Sequence, residues 1–594
     1  MAVDIQINYG NNINEIAHVA FQKKLWDASE IILAKCFGFT YDVDSGTITC
    51  NISLTSKKSL FEFIRISFKN FSESLGEQSR RDAFYRRIEE IYDNLNGYVD
   101  SIIESKLPYH KGLYLHQKEV LRESFYKQFN FYAMDMGTGK TITSASMSRL
   151  YNIPLTLIVC PAAVKFNWFR DLAKFGFNEL YFTMLDASKK RTFRAFNERF
   201  IVVNYDILAK YEKELFNKNI GHFILDESQN LKNHNSQRTK NMRKLVENFP
   251  NARVTFLSGT PITNRVNDIF SYLKMTGHEL GLSHKKFLEE YTLRSNGRGG
   301  ERVTGGKNLK DLHIKLSNFM IRKTKEDCLD LPDKIFFSYK FELDDYRDEY
   351  NKIIEEMSQA KELSRLTGNL HSLNIITSKA KKKGIIELTE SILDEGRKVV
   401  IFSSYTEPLS DMESYFGEDC VKIDGSVDSF KRDQLVQEFI NNPVKTVFLG
   451  NMVAAGVGIN LVNASDVIFM NFPLVTSELY QSIDRLHRIG QSKSVNVHYT
   501  FCEESIDEYI HELLIDKEGD INAVIDQGKE VMLRENFNEI LIKKLLHKED
   551  VHFSNIHAKA PKPELFCKEV DDSKQSFVEG VPLQAFTVPP PDFL

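Results

Sequence analysis

The stretch FYAMDMGTGKTITSASMSRLY, residues 131–151, decides the fold of the first half of the chain. An apolar strand runs into Gly137-Thr138-Gly139-Lys140-Thr141, and a helix-forming segment follows, which is the context that a phosphate-binding loop needs. The glycines let backbone N–H groups face phosphate oxygens, Lys140 places a positive charge on the β- and γ-phosphates, and the Thr141 hydroxyl can bind Mg²⁺. The full loop pattern has glycine where this chain has Met134, so the rest of the chain must support the interpretation.

Short apolar runs alternate with helical stretches on both sides of this loop. Each run ends in a small, polar or charged residue, which is typical of a parallel α/β sheet with its ligand site at the carboxyl ends of the strands. We predict an α/β fold with two such sheets, in residues 111–335 and 385–534. A helical linker is expected over 336–384, a small α+β domain over 1–110 and a tail over 535–594. The runs are FYAM, TLIVC, FIVVN, HFIL and VTFL in the first region, and KVVIF, VKI, TVFL, VIFM and VNVHYTF in the second.

The composition excludes several classes of protein. Of the 594 residues, 42% are hydrophobic and 27% are charged, which is typical of globular domains and not of rods or disordered chains. The longest apolar run, around 156–164, is far shorter than the ~20 residues of a membrane span.

The seven cysteines are scattered without a C-x-x-C pair, so we expect a reducing, intracellular compartment, in a bacterium or a virus-infected cell or in a nucleus. The net charge of -5 does not indicate a nucleic-acid-binding protein, yet a local basic groove is enough to bind nucleic acid.

Two further groups of residues could complete a nucleotide site. The pair Asp226-Glu227 follows the apolar run HFIL, 86 residues after Lys140. An Asp at this position can hold Mg²⁺, and the Glu can polarise a water molecule. The alternative is that Asp226 only caps the end of the strand. Arg485 and Arg488 lie three apart and are predicted to share one helix face with Gln481. They could be arginine fingers, which accelerate phosphoryl transfer by roughly 10³–10⁵, or a solvated helix face.

Taken together, these residues resemble helicase superfamily 2, and more narrowly its SWI/SNF-type double-stranded-DNA translocases. The resemblance covers about residues 111–530 in the family's order, and the ending HRIGQ is its most specific string. Gln229 stands where motif II of the family usually has His, which raises the question of how hydrolysis is coupled to motion. Val453 stands where many members carry Arg. The matching segments are LYLHQKEVL, DMGTGKT, TLIVCPAAVKFNW, LDESQNLKNHNSQRTK (motif II), LSGTPITN (motif III), FMIRKTKEDCLDLPDK, KVVIFSSYTEPL, VKIDGSVDSFKRDQLVQEF, AAGVGINLVNASDVIFMNFP (motif V) and YQSIDRLHRIGQ (motif VI).

The resemblance implies two tandem RecA-like lobes that close on ATP and Mg²⁺. It implies catalytic roles for Lys140, Asp226, Glu227, Arg485 and Arg488, and Mg²⁺ binding by Thr141 and Asp226. The expected ATP-binding residues are Gln117, Gly137, Thr138, Gly139, Lys140, Thr141, Gly456 and Gln481, with Gln117 reading adenine. Residues Ser258, Gly259 and Thr260 are expected to couple hydrolysis to motion. Candidate contacts to DNA phosphates are Lys165, Asn204, Ser403, Ser404, Asn460 and Lys381, although each could instead be an ordinary structural residue.

Three functions remain open at this point. The first is a monomeric ATP-dependent translocase that remodels double-stranded or branched DNA, with replication or recombination proteins as partners. The second is a remodeller that strips DNA-bound protein such as RNA polymerase, and the third is a non-enzymatic DNA-binding module. The third is disfavoured because the catalytic positions carry chemically competent residues. No membrane partner is expected.

Overall fold

The computed structural model describes residues 4–8, 18–22, 26–67, 78–178, 181–187, 198–262, 266–297, 300–359, 363–455, 459–473, 476–511, 541 and 545. The chain divides into a unit over residues 1–547 and a unit over 548–594, and the second unit, with most of the tail predicted over 535–594, lies outside the described residues. Within these ranges no helix has both the length and the hydropathy needed to cross a membrane.

The N-terminal domain is α+β, as predicted. Its antiparallel sheet has the strand order β1-β2-β4-β3, and β3 and β4 form a hairpin that turns at residues 43–46. Phe21, Phe39 and Phe63 pack ring against ring inside it. The strands are β1 Asp4–Asn8, β2 His18–Gln22, β3 Thr40–Asp42 and β4 Thr47–Asn51, and the helices are α1 Ala28–Cys36, α2 Lys57–Ser67 and α3 Gln78–Lys106.

One buried side chain of the next domain clamps this N-terminal domain. The Asn318 amide donates to the carbonyl oxygens of Phe37 (2.9 Å) and Leu54 (3.2 Å), and its oxygen accepts the backbone N–H of Ser56 (3.0 Å). The Lys127 ammonium donates to the Asn318 carbonyl at 3.0 Å. The hydrophobic core is continuous across the junction, so the N-terminal domain and the first lobe pack as one body.

The first lobe is built on a seven-stranded parallel sheet with the order β13-β5-β10-β9-β6-β8-β7. All five predicted strands are present, and β11 and β12 form a separate two-stranded antiparallel hairpin. The strands are β5 Phe129–Met134, β6 Thr156–Cys160, β7 Phe182–Met184, β8 Phe200–Asn204, β9 His222–Leu225, β10 Arg253–Leu257, β11 Thr292–Gly297, β12 Gly300–Gly306 and β13 Met320–Lys323. The helices are α4 Leu115–Ser124, α5 Lys140–Leu150, α6 Lys165–Lys174, α7 Glu212–Phe216, α8 Gln237–Glu247, α9 Phe270–Met275, α10 His284–Tyr291, α11 Leu309–Leu316 and α12 Lys325–Cys328.

The second lobe has a six-stranded parallel sheet with the order β14-β19-β18-β15-β17-β16. Its edge strand β14 runs from Lys334 to Phe341, so residues 336–341, predicted to begin a helical linker, form a strand instead that pairs with β19. The strands are β14 Lys334–Phe341, β15 Val399–Ser403, β16 Cys420–Ile423, β17 Val447–Asn451, β18 Asp466–Phe469 and β19 Val495–Cys502. The helices are α13 Arg347–Gln359, α14 Leu363–Asp394, α15 Thr406–Phe416, α16 Ser429–Asn441, α17 Met452–Ala455 and α18 Thr476–Ile483.

Burial explains why the apolar runs form these sheets. Strands β6, β8, β9, β15 and β18 are buried along their whole length, since helices cover both faces of a parallel sheet. The polar residues that follow the strands then collect at the carboxyl edge of each sheet. The fold class predicted from the sequence, two tandem RecA-like α/β lobes, is confirmed.

Candidate nucleotide site between the lobes

The phosphate-binding loop joins β5 to α5 and turns on two glycines with positive φ, Gly137 (81°) and Gly139 (87°). The Lys140 ammonium lies at the first residue of α5 and donates to the carbonyl oxygens of Met134 (2.8 Å) and Asp135 (3.0 Å). Burial lowers its pKa, and the nearby carboxylates of Glu227 and Asp226 oppose that shift. Lys140 therefore lies within electrostatic reach of the motif II carboxylates.

Gln117, the expected adenine reader, lies against the same loop. Its amide donates to the Thr138 carbonyl at 3.1 Å, and its oxygen accepts the backbone N–H of Tyr114 at 3.0 Å. A Cβ atom at Gly139 would lie 2.1 Å from the Gln117 nitrogen, so only glycine fits there. Gln117 thus links the start of α4 to the loop, and its role toward adenine stays a prediction.

Asp226 and Glu227 follow β9 at the carboxyl edge of the sheet. Asp226 accepts the Trp168 indole N–H on Oδ2 (2.8 Å) and the Glu227 backbone N–H on Oδ1 (2.9 Å). Burial, and then the negative charge of Glu227, raise the Asp226 pKa to about 6. The sequence motifs did not assign Trp168 to the site. Its position on the helix after β6, the strand that pairs with β9, is the signal that could have placed it near Asp226.

Gln229, the residue that departs from the family, connects motif II to motif III. Its amide nitrogen donates to Glu227 Oε2 at 2.7 Å, and its oxygen accepts the Ser258 hydroxyl at 2.9 Å. Ser258 Oγ in turn accepts the backbone N–H of Thr260 at 3.0 Å. Gly259 lies beside the phosphate loop, since a Cβ atom there would be 3.5 Å from Met136 Cγ. A glutamine at this position therefore keeps a direct connection between the expected catalytic base and the expected coupling segment.

The arginines of motif VI are not on a helix, which corrects the sequence prediction. Helix α18 ends at Ile483, and Arg485 and Arg488 lie on the irregular turn that follows. The helix ends because its next carbonyl groups have partners elsewhere: the Leu461 N–H donates to the Arg485 carbonyl at 2.9 Å. Gln481 is in the last turn of α18 and is partly buried.

Both arginines nevertheless reach the first lobe. Arg485 is buried and its guanidinium donates to the Met136 sulfur at 3.5 Å. Burial and then the charge of Arg488 lower the Arg485 pKa to about 10, and the carboxylate of Glu227 opposes the shift. A Cβ atom at Gly137 would lie only 2.8 Å from Arg488 Cβ. The backbone of the second lobe thus lies directly on the phosphate loop of the first.

The structure corrects two of the candidate DNA contacts. Lys381 is fully buried and bonds to Asp507 Oδ2 (2.6 Å) and the Thr500 carbonyl (3.0 Å), so its ammonium is not at a surface. Lys165 is also buried and donates to the Leu185 carbonyl at 3.0 Å. Both lysines donate hydrogen bonds to carbonyl or carboxylate groups inside the protein. A lysine-rich sequence does not by itself show which of its lysines are buried in this way.

The other candidates occupy the carboxyl edges of the two sheets. Asn204 ends β8 and is buried, and Ser403 ends β15 and bonds to the Tyr405 backbone and to Asn471. Among the described residues, Ser404 Oγ and Asn460 Oδ1 are buried without a hydrogen-bond partner. Val453 is 62% exposed. Gly456, an expected ATP-binding residue, lies outside the described residues.

Comparisons with known proteins agree with this architecture. Residues 127–399 match the SNF2-related domain, and residues 381–490 match the helicase conserved C-terminal domain. The Mycoplasma pneumoniae protein named "Uncharacterized ATP-dependent helicase" is 26% identical over 512 residues, 80% of this chain and 48% of that protein. The human DNA annealing helicase and endonuclease ZRANB3 is 27% identical over 423 residues, 67% of this chain and 39% of that protein. The chain therefore spans less than half the length of these two relatives.

The solved structure of the Sulfolobus solfataricus SWI2/SNF2 ATPase core in complex with dsDNA is 23% identical. It covers 73% of this chain and 96% of that chain, with a TM-score of 0.33. The first domain match runs over the first lobe and on to the start of β15, and the second covers most of the second lobe. The chain belongs to the SWI/SNF-type ATPases of helicase superfamily 2.

Proposed function

We propose that the chain is an ATP-driven motor that moves along double-stranded DNA and remodels branched or paired DNA. The observation that carries this proposal is the approach of Arg485 and Arg488 of the second lobe to the phosphate loop of the first, with Arg485 also close enough to Glu227 and Asp226 for their charges to act on it. A site divided between two lobes converts a change at the phosphates into a relative movement of the lobes. The name of the human relative, a DNA annealing helicase, supports DNA as the track.

The groups at the cleft suit a magnesium–triphosphate substrate. One lysine, two arginines, two carboxylates and the Thr141 hydroxyl supply cations for phosphate oxygens and hard oxygen ligands for a divalent cation. Thr141 and Asp226 would hold Mg²⁺, which supplies charge neutralisation at the β- and γ-phosphates. Lys140 would leave the loop carbonyls for the phosphates, and Glu227 would orient the attacking water. Arg485 and Arg488 would stabilise the charge that develops in the transition state.

The link Glu227–Gln229–Ser258 supports a specific route for coupling. Ser258 follows β10, so a change in the hydrogen bond at Glu227 reaches the loop at residues 258–262 through a single side chain. The Thr260 hydroxyl in that loop is buried without a protein hydrogen-bond partner, like Ser404 Oγ and Asn460 Oδ1 in the second lobe. Buried polar atoms of this kind normally have a partner. We infer that these three groups contact DNA or change partners during the cycle.

Replacing Gln229 with leucine is expected to lower DNA-stimulated ATP hydrolysis by about tenfold, since it removes two hydrogen bonds and leaves the Ser258 hydroxyl without its acceptor. ATP affinity should not change, because Gln229 contacts neither the loop nor the expected phosphates. Steady-state ATPase assays with and without duplex DNA measure the effect. Gln229→His serves as the matched control, because histidine is the residue that the family usually has there. A Gln229→Leu protein with full DNA stimulation would contradict the coupling route.

Duplex DNA is expected to raise the ATPase rate strongly, and rising salt should reduce this effect steeply because phosphate contacts release counterions. Displacement of a third strand from a triplex, or migration of a four-way junction, should be efficient, since both need only translocation. Unwinding of a simple tailed duplex should be poor. Rates with single-stranded, duplex and forked DNA, together with the two remodelling assays, measure these differences.

The same experiment tests the other functions. A rate that does not depend on DNA, or stimulation by RNA alone, would contradict the translocase proposal. Stimulation by duplex DNA without remodelling of branched DNA would favour the removal of DNA-bound protein such as RNA polymerase. Lys140→Ala is the control for every remodelling assay, since movement must stop when hydrolysis stops.

A further inference from the structure

The turn that carries Arg485 and Arg488 depends on hydrogen bonds from other parts of the chain. The Gln491 amide donates to the Leu486 carbonyl at 3.3 Å, and the His487 imidazole N–H donates to the Pro332 carbonyl at 2.8 Å. The turn has left the α-helical pattern, although its own backbone still bonds locally: the Arg485 N–H donates to the Ser482 carbonyl at 3.2 Å and the His487 N–H donates to the Ile483 carbonyl at 3.0 Å. Side chains from elsewhere that hold residues 484–488 add to these local bonds in placing the two guanidinium groups.

Lys325 of the first lobe holds this turn at two points. Its ammonium bonds to Asp484 Oδ1 at 2.5 Å and to the His487 carbonyl oxygen at 2.6 Å. Asp484 directly precedes Arg485, and His487 directly precedes Arg488. Lys325 is 5% exposed, so solvent screens these bonds little. A single side chain thus fixes the residue before each arginine.

Lys325 is in turn attached to the start of the phosphate loop. Its backbone N–H donates to Asp135 Oδ2 at 3.0 Å, and the Arg322 guanidinium donates to Asp135 Oδ1 at 2.5 Å. The Asp135 N–H donates to the Lys323 carbonyl at 3.0 Å. Asp135 lies two residues before Gly137, where Arg488 contacts the loop. Lys325 therefore sets the separation between the loop and the arginine turn.

We propose that Lys325 is a positioning residue for ATP hydrolysis, which ties the arginine turn of the second lobe to the phosphate loop of the first. The inference rests on the proposed function in that it assumes hydrolysis at this cleft. Lys325 would act through Arg485 and Arg488, because its ammonium is occupied by Asp484 and His487. A misplacement of catalytic groups by about 1 Å lowers rates on the order of 10²-fold. The loss should fall on kcat, since the arginines act chiefly in the transition state.

The test compares Lys325→Met with Lys325→Arg in the full-length protein. Methionine keeps the apolar stem and removes the charge, and we expect kcat to fall on the order of 10²-fold. The KM for ATP and the affinity for a non-hydrolysable ATP analogue should change less than about threefold, because ground-state binding is retained. Arginine keeps a cation that can reach Asp484 and should recover a large part of kcat. Asp484→Asn should resemble Lys325→Met, and the double variant should be no worse than the poorer single one, as for two residues in one interaction.

Arg170→Ala provides the matched control. Arg170 forms another ion pair between the lobes, with Asp433, and the pair is about one-third exposed and does not contact the arginine turn. Its loss should change kcat by less than about fivefold. Thermal unfolding verifies that each variant is folded, and Asp484→Asn carries the test if Lys325→Met does not fold.

The outcomes separate this inference from the proposed function. An active wild-type protein whose Lys325→Met and Asp484→Asn variants keep kcat would overturn the positioning role alone. A weaker affinity for the analogue with kcat retained would also overturn it, because Lys325 would then bind nucleotide directly. A folded wild-type protein that does not hydrolyse ATP would reject the proposed function and this inference together.

Discussion

Replacing Glu227 with glutamine is expected to leave ATP binding intact and to abolish hydrolysis. Glutamine has the same size, and its amide oxygen can still accept the hydrogen bond from Gln229 that is 2.7 Å long in the wild-type protein. It cannot accept a proton from water, and loss of a general base lowers rates by on the order of 10²–10⁴. Single-turnover hydrolysis and the affinity for Mg²⁺–ATP measure the two properties separately.

Lys140→Ala is the contrasting variant. The Lys140 ammonium is the cation of the phosphate loop, so its removal should weaken ATP binding as well as hydrolysis. We therefore expect the two variants to differ in their affinity for ATP, while both lose ATP hydrolysis. Equal loss of ATP binding in both would show that Glu227 and Lys140 do not have the separate roles assigned to them.

Replacing Arg488 with alanine should lower the hydrolysis rate by roughly 10³–10⁵, the range measured for an arginine that stabilises phosphoryl transfer. Arg488 Nη1 lies 3.5 Å from the Ile459 carbonyl of its own lobe, while the Arg488 backbone lies on Gly137. In the proposed transition state the guanidinium would leave the Ile459 carbonyl and face the phosphates. ATP affinity should stay within about tenfold, because the arginine acts chiefly in the transition state.

Arg488→Lys tests whether the planar group is needed. An ammonium lacks the fork that spans two phosphate oxygens, so lysine should recover little activity. Arg488→Ala with a normal rate of hydrolysis would mean that the catalytic site does not span two lobes. A large loss of ATP affinity with little loss of turnover would instead assign Arg488 to ground-state binding.

The sequence predicted the sheets and the loop because those features are local. Buried parallel strands need continuous apolar runs, and a phosphate loop needs glycine at fixed positions such as Gly139. The positions of polar side chains between elements depend on tertiary contacts and could not be predicted. Lys381 sits in a lysine cluster and is buried on Asp507. Lys325, in contrast, was not assigned any role, because its partners Asp484 and His487 are more than 150 residues away.

The end of helix α18 shows the same limit. The spacing of Arg485 and Arg488 favours a helix, yet the helix stops at Ile483 because the Arg485 carbonyl accepts the N–H of Leu461. Residue spacing describes neighbours along one element, and a competing hydrogen bond from a distant strand connection is not visible in it. The prediction that both arginines face the cleft was argued from that helix, and the structure brings them to the first lobe on a turn instead.

The Asn318 clamp makes the N-terminal domain move together with the first lobe. Asn318 binds the N-terminal domain through its amide and lies two residues before β13. Strand β13 contains Arg322 and pairs with β5, and Asp135, the hydrogen-bond partner of Arg322, directly follows β5. A force on the N-terminal domain is therefore transmitted through Asn318 to β13 and to β5, the strand that precedes the phosphate loop. In the proposed cycle, the N-terminal domain would move together with the first lobe and would change its position relative to the second lobe each time the lobes open and close.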